Sequence, residues 1–390
     1  MTGEKTAFTG ADIFDGTVFH RNGSLLCEDG RVLGIVPVAD VPAEARVIRS
    51  EGGILAPGYV DLQVNGGGGR MFNDAPSLET LEKMAQAHAS IGATSILPTL
   101  ITDTPGHTEL AIRAVQDAVQ AGVPGIAGLH MEGPHLAVTR KGAHDANLIR
   151  QMETFDLDQL INAAARLPVL KITLAPESAS NAQIRQLTDA GILVSLGHTD
   201  SGFEACREAV DAGARCVTHL FNAQSQLGNR EPGVVGAAIR LGELSAGLIA
   251  DGIHVHPGSM AIALGAKQGP GRVFLVSDAM ATAGTDLARF TLNGREIRRE
   301  ANRLTLADGT LAGAHLDLTT AIRNLVELCG TPLETALAMA TSVPAHIIGK
   351  DGTIGTLAPG ARCDMVMLSG DLKLVSVFQA GVKLTTVSTT

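Results

Sequence analysis

The sequence predicts an α/β chain: a (β/α)8 TIM-type barrel with a small β-sandwich domain built from both chain ends. Three observations carry that reading. Short apolar runs alternate with stretches of helical periodicity through the middle of the chain, eight times over. Several of those runs end on a polar residue able to do chemistry, and a (β/α)8 barrel keeps its reacting groups at the C-terminal ends of its strands. Both chain ends instead show short strand-like runs broken by Asp-Gly, Asn-Gly and Pro-Gly turns.

Element by element, residues 1–55 read as the first part of the small domain, with strand patterns at 6–14, 24–27 and 31–36. The barrel follows over 56–354. Its strands are expected near 58–64, 94–99, 126–131, 169–174, 192–196, 215–218, 246–250 and 273–277. Helical periodicity falls between them at 78–89, 108–120, 181–190, 203–212 and 259–266, and several of these runs stop at Gly. Residues 285–312 alternate around Asn-Gly and Asp-Gly, which predicts a hairpin inserted after the eighth strand. Helices follow near 317–328, 332–339 and 343–348. Residues 355–390 return to the short-strand pattern and complete the split domain. A doubly wound open sheet is the competing arrangement, but it needs a glycine-rich phosphate loop opening a helix after the first strand. The run Asn65-Gly-Gly-Gly-Gly69 opens no helix.

Bulk composition narrows the function. The chain has 390 residues, 45% of them hydrophobic, and a net charge of −10 with no Lys/Arg-rich run. That argues against nucleic acid or an anionic membrane surface as partner. Aromatic residues make up only 3%, with no Trp, so neither base stacking nor a sugar held on aromatic faces is expected. No apolar run approaches the roughly 18 residues of a membrane span, and the N-terminus shows no apolar targeting segment. The five cysteines are scattered, without Cys-x-x-Cys. They read as thiols in a reducing compartment, and the expected location is the cytoplasm.

Four polar residues end apolar runs: Glu132 after 125–131, His198 after 192–197, His219 after Cys216-Val-Thr218, and Asp278 after 273–277. A buried polar group needs a partner. One metal ion gives Glu132, His198 and His219 a common one, and it leaves Asp278 as a base beside an activated water. Read singly, each is a structural polar residue, and Asp278 is a helix N-cap. Ligand type favours Zn²⁺ and also suits Fe²⁺, Co²⁺, Ni²⁺ or Mn²⁺.

With these residues placed, the chain resembles the amidohydrolase superfamily, and within it the N-acetylglucosamine-6-phosphate deacetylases. The matching segments run in family order from Pro57-Gly-Tyr-Val-Asp-Leu-Gln-Val-Asn-Gly66 and Gly128-Leu-His-Met-Glu-Gly-Pro134 through Lys141-Gly-Ala-His144, Leu196-Gly-His-Thr199 and Thr218-His-Leu-Phe-Asn-Ala223. They continue with Arg230-Glu-Pro-Gly233, Ala250-Asp-Gly-Ile-His254, Ser277-Asp-Ala279 and Leu311-Ala-Gly313. The resemblance implies hydrolysis of N-acetylglucosamine 6-phosphate to glucosamine 6-phosphate and acetate, with Asp278 as general base and acid and His144 holding the acetyl carbonyl. It implies phosphate contacts from Arg230 and His254, with the backbone of Asn222 and Ala223 nearby. It implies further substrate contacts at Ala143, Asp251, Leu311, Ala312 and Gly313, and a homodimer whose subunits share the phosphate site. The first strand carries Gln63 where many relatives have a His of a second metal site, which predicts one divalent ion per chain. His135 stands where relatives often carry an aromatic residue. The alternatives are the galacto epimer as substrate, another amidohydrolase reaction, or a sugar-phosphate sensor without catalysis.

Overall fold

The computed structural model describes residues 4–385. The parts of the small-domain segments expected at 1–3 and 386–390 lie outside the described residues. Eight strands form one parallel sheet in sequence order: β1 (Tyr59–Val64), β2 (Ala93–Ile101), β3 (Leu129–Glu132), β4 (Leu170–Leu174), β5 (Leu193–Leu196), β6 (Cys216–Val217), β7 (Ser245–Leu248) and β8 (Val273–Leu275). Every residue of β1 and of the nine-residue β2 is buried. Strands covered on both faces are rich in apolar side chains, so most read as runs rather than alternations, while buried polar residues such as Asp61 and Gln63 of β1 find hydrogen-bond partners inside the barrel.

The barrel closes at one rim. The Asp278 amide donates to the Gln63 carbonyl at 3.0 Å, and the Asn65 amide donates to the Ala279 carbonyl at 2.8 Å. Closure therefore joins the residues after β8 to the end of β1, at the edge where the chemistry was expected. The apolar side chains of the strands and of the helices around them share one large core.

Helices follow each of the first seven strands, and several of their starts carry side-chain caps. Ser77 accepts from the Thr80 amide ahead of Leu78–Ser90, and Ser180 forms a reciprocal capping box with Gln183 ahead of Asn181–Asp189. Two helices went unread in the sequence. Thr154–Ala164 starts from a Glu153/Asp156 capping box rather than a Ser or Thr, and Gly233–Arg240 is apolar on nearly all sides. Such a helix has no amphipathic stripe to detect. The insertion after β8 is a three-stranded antiparallel sheet, Arg289–Leu292, Arg295–Glu300 and Arg303–Thr305, one strand more than a hairpin.

Two further sheets combine both chain ends. A four-stranded sheet uses Thr6–Thr9, Gly23–Glu28, Arg31–Pro37 and Arg46–Arg49, while a six-stranded sheet joins Asp12–Phe14 and Ile54–Pro57 to Met365–Leu368 and Leu374–Gln379. They share a small core around Phe8, Leu25, Leu55 and Phe378. Cys27 and Cys363 in that core are joined as a disulfide across a sequence separation of 336. This corrects the expectation of five thiols: Cys206, Cys216 and Cys329 are free, but the other two meet only because opposite chain ends share a sandwich.

His88 ties a helix to the barrel rim. It is buried, and its Nε2 donates to the Gly66 carbonyl at 2.8 Å. Burial pushes its pKa from 6.5 down to about 4. The ring is thus neutral in the fold and protonates readily once unfolded. The stability it confers is complete above pH 6.5 and is lost as pH falls toward 4, to a limit of about 3 kcal/mol. His88→Gln keeps a donor that does not titrate. Chemical denaturation between pH 6.5 and 4 should therefore show a shallower loss of stability in the variant than in the wild type; parallel curves would remove His88 from the acid response.

Candidate metal and catalytic site

Four strand ends deliver the predicted cluster to one place. Glu132 is the last residue of β3, and His198, His219 and Asp278 follow β5, β6 and β8. The last three hold left-handed backbone, at φ 48°, 28° and 51°. A non-glycine residue pays on the order of 1 kcal/mol for that conformation. Its repetition at three strand ends turns each side chain out of the pleat and over the barrel mouth.

Glu132, His198 and His219 offer ligand atoms that lie within 4.8 Å of one another, all on buried residues. His219 Nε2 lies 3.1 Å and His198 Nε2 3.3 Å from Glu132 Oε1, and the two Nε2 atoms are 3.1 Å apart. His198 Nδ1 donates to the Arg140 carbonyl at 2.8 Å, which leaves Nε2 as the nitrogen that can turn a lone pair into the cluster. Two imidazole nitrogens and a carboxylate oxygen converging in this way fit a divalent ion. Burial alone would raise the Glu132 carboxyl, but the two histidines beside it hold it well below the usual carboxylate range.

Asp278 completes the group and begins no helix. Asn65 Nδ2 donates to its Oδ1 at 2.7 Å, and Gln63 Nε2 lies 3.2 Å from the same oxygen and 3.1 Å from Glu132 Oε1. Burial, then the charge of Glu132, raises the Asp278 carboxyl and makes it a stronger base. Gln63 therefore bridges the two carboxylates from beneath. Asn65 was not singled out in the sequence, although it stands two residues past Gln63, directly after β1.

His144 packs edge-on against His198, with ring centroids 4.4 Å apart. Its Nδ1 meets the Thr102 hydroxyl at 2.7 Å and the Thr102 amide at 3.3 Å. Burial, then the neighbouring His198, lowers its pKa to about 3, so the ring is neutral.

These groups border a cavity of about 280 Å³ that also touches Ala143, Asn222, Ala223, His254, Leu311 and Gly313. Asp251 sits behind His254, its carboxylate 2.6 Å from Nδ1. Ala312 packs into an apolar cluster with Ile101 and Met280, so it supports the wall instead of facing the cavity. Arg230 is exposed and lies outside this cavity. Glu231 is not its ion-pair partner, since it accepts from the Phe203 and Gly233 amides. His135 is no part of the wall either; it is buried against the Arg150 carbonyl. His130 is held between Thr99 and Thr173 inside the barrel. The inserted sheet reaches the site through Arg295, which donates to the Ala143 carbonyl.

A (β/α)8 barrel with a Glu/His/His cluster and an adjacent aspartate at its strand ends defines a metal-dependent hydrolase. Residues 54–389 match the amidohydrolase family, and the chain belongs to it. It is 40% identical to the N-acetylgalactosamine-6-phosphate deacetylase of Shewanella sp. (strain ANA-3), with 95% of each chain covered. It is 33% identical to the N-acetylglucosamine-6-phosphate deacetylase of Haemophilus influenzae, covering 93% of this chain and 94% of that one. The crystal structure of N-acetylglucosamine-6-phosphate deacetylase from Pasteurella multocida superimposes with a TM-score of 0.93 at 32% identity, covering 97% of this chain and 99% of that one.

Glu132→Gln leaves the shape of the cluster and removes its charge. Metal retained through gel filtration should fall at least about tenfold, since even a partner outside the ligand set is worth that much. Undiminished retention in that variant would take Glu132 out of the ligand set.

Proposed function

We propose that this chain removes the acetyl group from N-acetylglucosamine 6-phosphate, giving glucosamine 6-phosphate and acetate. The observation that carries the reading is Asp278, a raised carboxyl held beside the three ligands at the mouth of a cavity of sugar size. Glu132, His198 and His219 would hold one divalent ion, Zn²⁺ by ligand type, which supplies Lewis acidity to the carbonyl and to the attacking water. Asp278 takes a proton from that water as its oxygen adds to the acetyl carbon. His144 donates to the carbonyl oxygen as negative charge develops there. Asp278 then passes the proton to the amine nitrogen, the C–N bond breaks, and acetate leaves.

His254, held by Asp251, and the loops at Asn222 and 311–313 are proposed to seat the sugar phosphate. Arg230 is exposed and lies outside its own chain's cavity, which fits a role in the neighbouring subunit's site of a homodimer. Location in the cytoplasm follows from the substrate, because a sugar phosphate dianion does not cross membranes. The Cys27–Cys363 pair is buried there, away from soluble thiols. The second reading is the galacto epimer, the substrate in the name of the Shewanella relative.

Acetate release from the gluco and galacto phosphates and from the unphosphorylated sugar tests the proposal. Release from the gluco phosphate is expected, and turnover of the galacto epimer alone would favour the second reading. Asp278→Asn should lower kcat by at least about a hundredfold while substrate still binds; near-normal turnover would sink the mechanism. Arg230→Ala should raise KM for the phosphorylated sugar much more than for the unphosphorylated one. Equal effects on both would remove Arg230 from the phosphate site.

A further inference from the structure

His144 is buried at the cavity wall, and what it does there depends on which ring nitrogen bears the proton. Its Nδ1 faces two groups of a single residue, the Thr102 hydroxyl at 2.7 Å and the Thr102 backbone amide at 3.3 Å. A backbone N–H can only donate. Nδ1 must therefore present its lone pair to that amide, and the one proton of a neutral imidazole is left to Nε2. The hydroxyl has the Glu132 carbonyl as its other acceptor, at 3.5 Å, so it too is free to point its proton at Nδ1. His144 Nε2 has no hydrogen-bond partner among the described residues.

The surroundings hold this contact closely. Thr102 directly follows β2 and is buried. Gly133, at φ 87°, passes so near that a Cβ there would lie 2.3 Å from the Thr102 hydroxyl oxygen. The chain after the metal-ligating Glu132 thus leaves room for this threonine only because a glycine stands there.

We propose that Thr102 is a positioning residue that fixes His144 as its Nε2–H tautomer, so that the ring presents a donor to the cavity. The inference rests on the reading of His144 as the group that binds the developing oxyanion. In the opposite tautomer Nε2 would aim a lone pair at that negative charge and repel it. Thr102 touches no substrate in this scheme and acts through the ring.

The test combines kinetics with a direct reading of the proton. Thr102→Val removes the hydroxyl and keeps the shape. It should lower kcat for N-acetylglucosamine 6-phosphate roughly tenfold to a hundredfold with little change in KM, as loss of an orienting partner does. Thr102→Ser should recover most of that loss. In a His144→Gln background, Thr102→Val should cost nothing further. An undiminished loss in that background would show that Thr102 acts without His144, and would overturn the proposal. Full activity in His144→Gln alone would instead overturn the oxyanion reading. The tautomer is read separately, by nitrogen NMR of histidine-labelled, zinc-loaded wild-type protein. A proton on His144 Nε2 supports the assignment, and a proton on Nδ1 overturns it whatever the variants do.

Discussion

Two carboxylates and two imidazoles share a space in which Glu132 Oε1 lies within 3.3 Å of both His198 and His219 nitrogens. All four residues are buried, and charge in a low dielectric is costly unless each group is paired and hydrogen-bonded. Much of the surrounding architecture answers that demand. The Arg140 carbonyl sets the tautomer of His198, Thr102 occupies one nitrogen of His144, and amides from β1 serve Glu132 and Asp278. The barrel's closing bonds, between the residues after β8 and the end of β1, bring those amides and Asp278 together.

The parallel barrel solves the assembly problem by topology. Strands in sequence order deliver residues 132, 198, 219 and 278 to one rim although they are far apart in the chain. Pleat geometry alone would send successive side chains alternately inward and outward. Left-handed backbone at His198, His219 and Asp278 releases each from that alternation at the point where the strand ends. The local cost is met by the rest of the fold, since the eight strands and their helices share one continuous core. A stable scaffold can carry a few strained residues, and they collect where function needs them.

Much of this was legible because burial leaves a plain mark on sequence. Strands covered on both faces appear as apolar runs, and a polar residue terminating such a run is conspicuous, which is how Glu132, His198, His219 and Asp278 emerged. What stayed hidden depends on partners remote in the chain. Thr102 and Asn65 are ordinary residues until β2 and β1 are set beside His144 and Asp278. The Cys27–Cys363 pair needs both ends of the chain in one sandwich. The helix Gly233–Arg240 lacks the polar face that periodicity detects, and Thr154–Ala164 begins on an acidic cap in place of the usual hydroxyl. Arg295 shows its relevance only when the inserted sheet folds back onto Ala143.

The first strand explains how the site tolerates two carboxylates at close quarters. Gln63 places one amide nitrogen against both Glu132 and Asp278, and Asn65 adds a second donor to the same Asp278 oxygen. These donors are neutral. They relieve the desolvation of both anions without adding charge. With Oδ1 committed to these amides, Oδ2 is the oxygen of Asp278 left for the proton. Neutral side chains at the end of the first strand therefore do two things at once: they make the pairing of two buried carboxylates tolerable, and they fix the orientation of the Asp278 carboxyl.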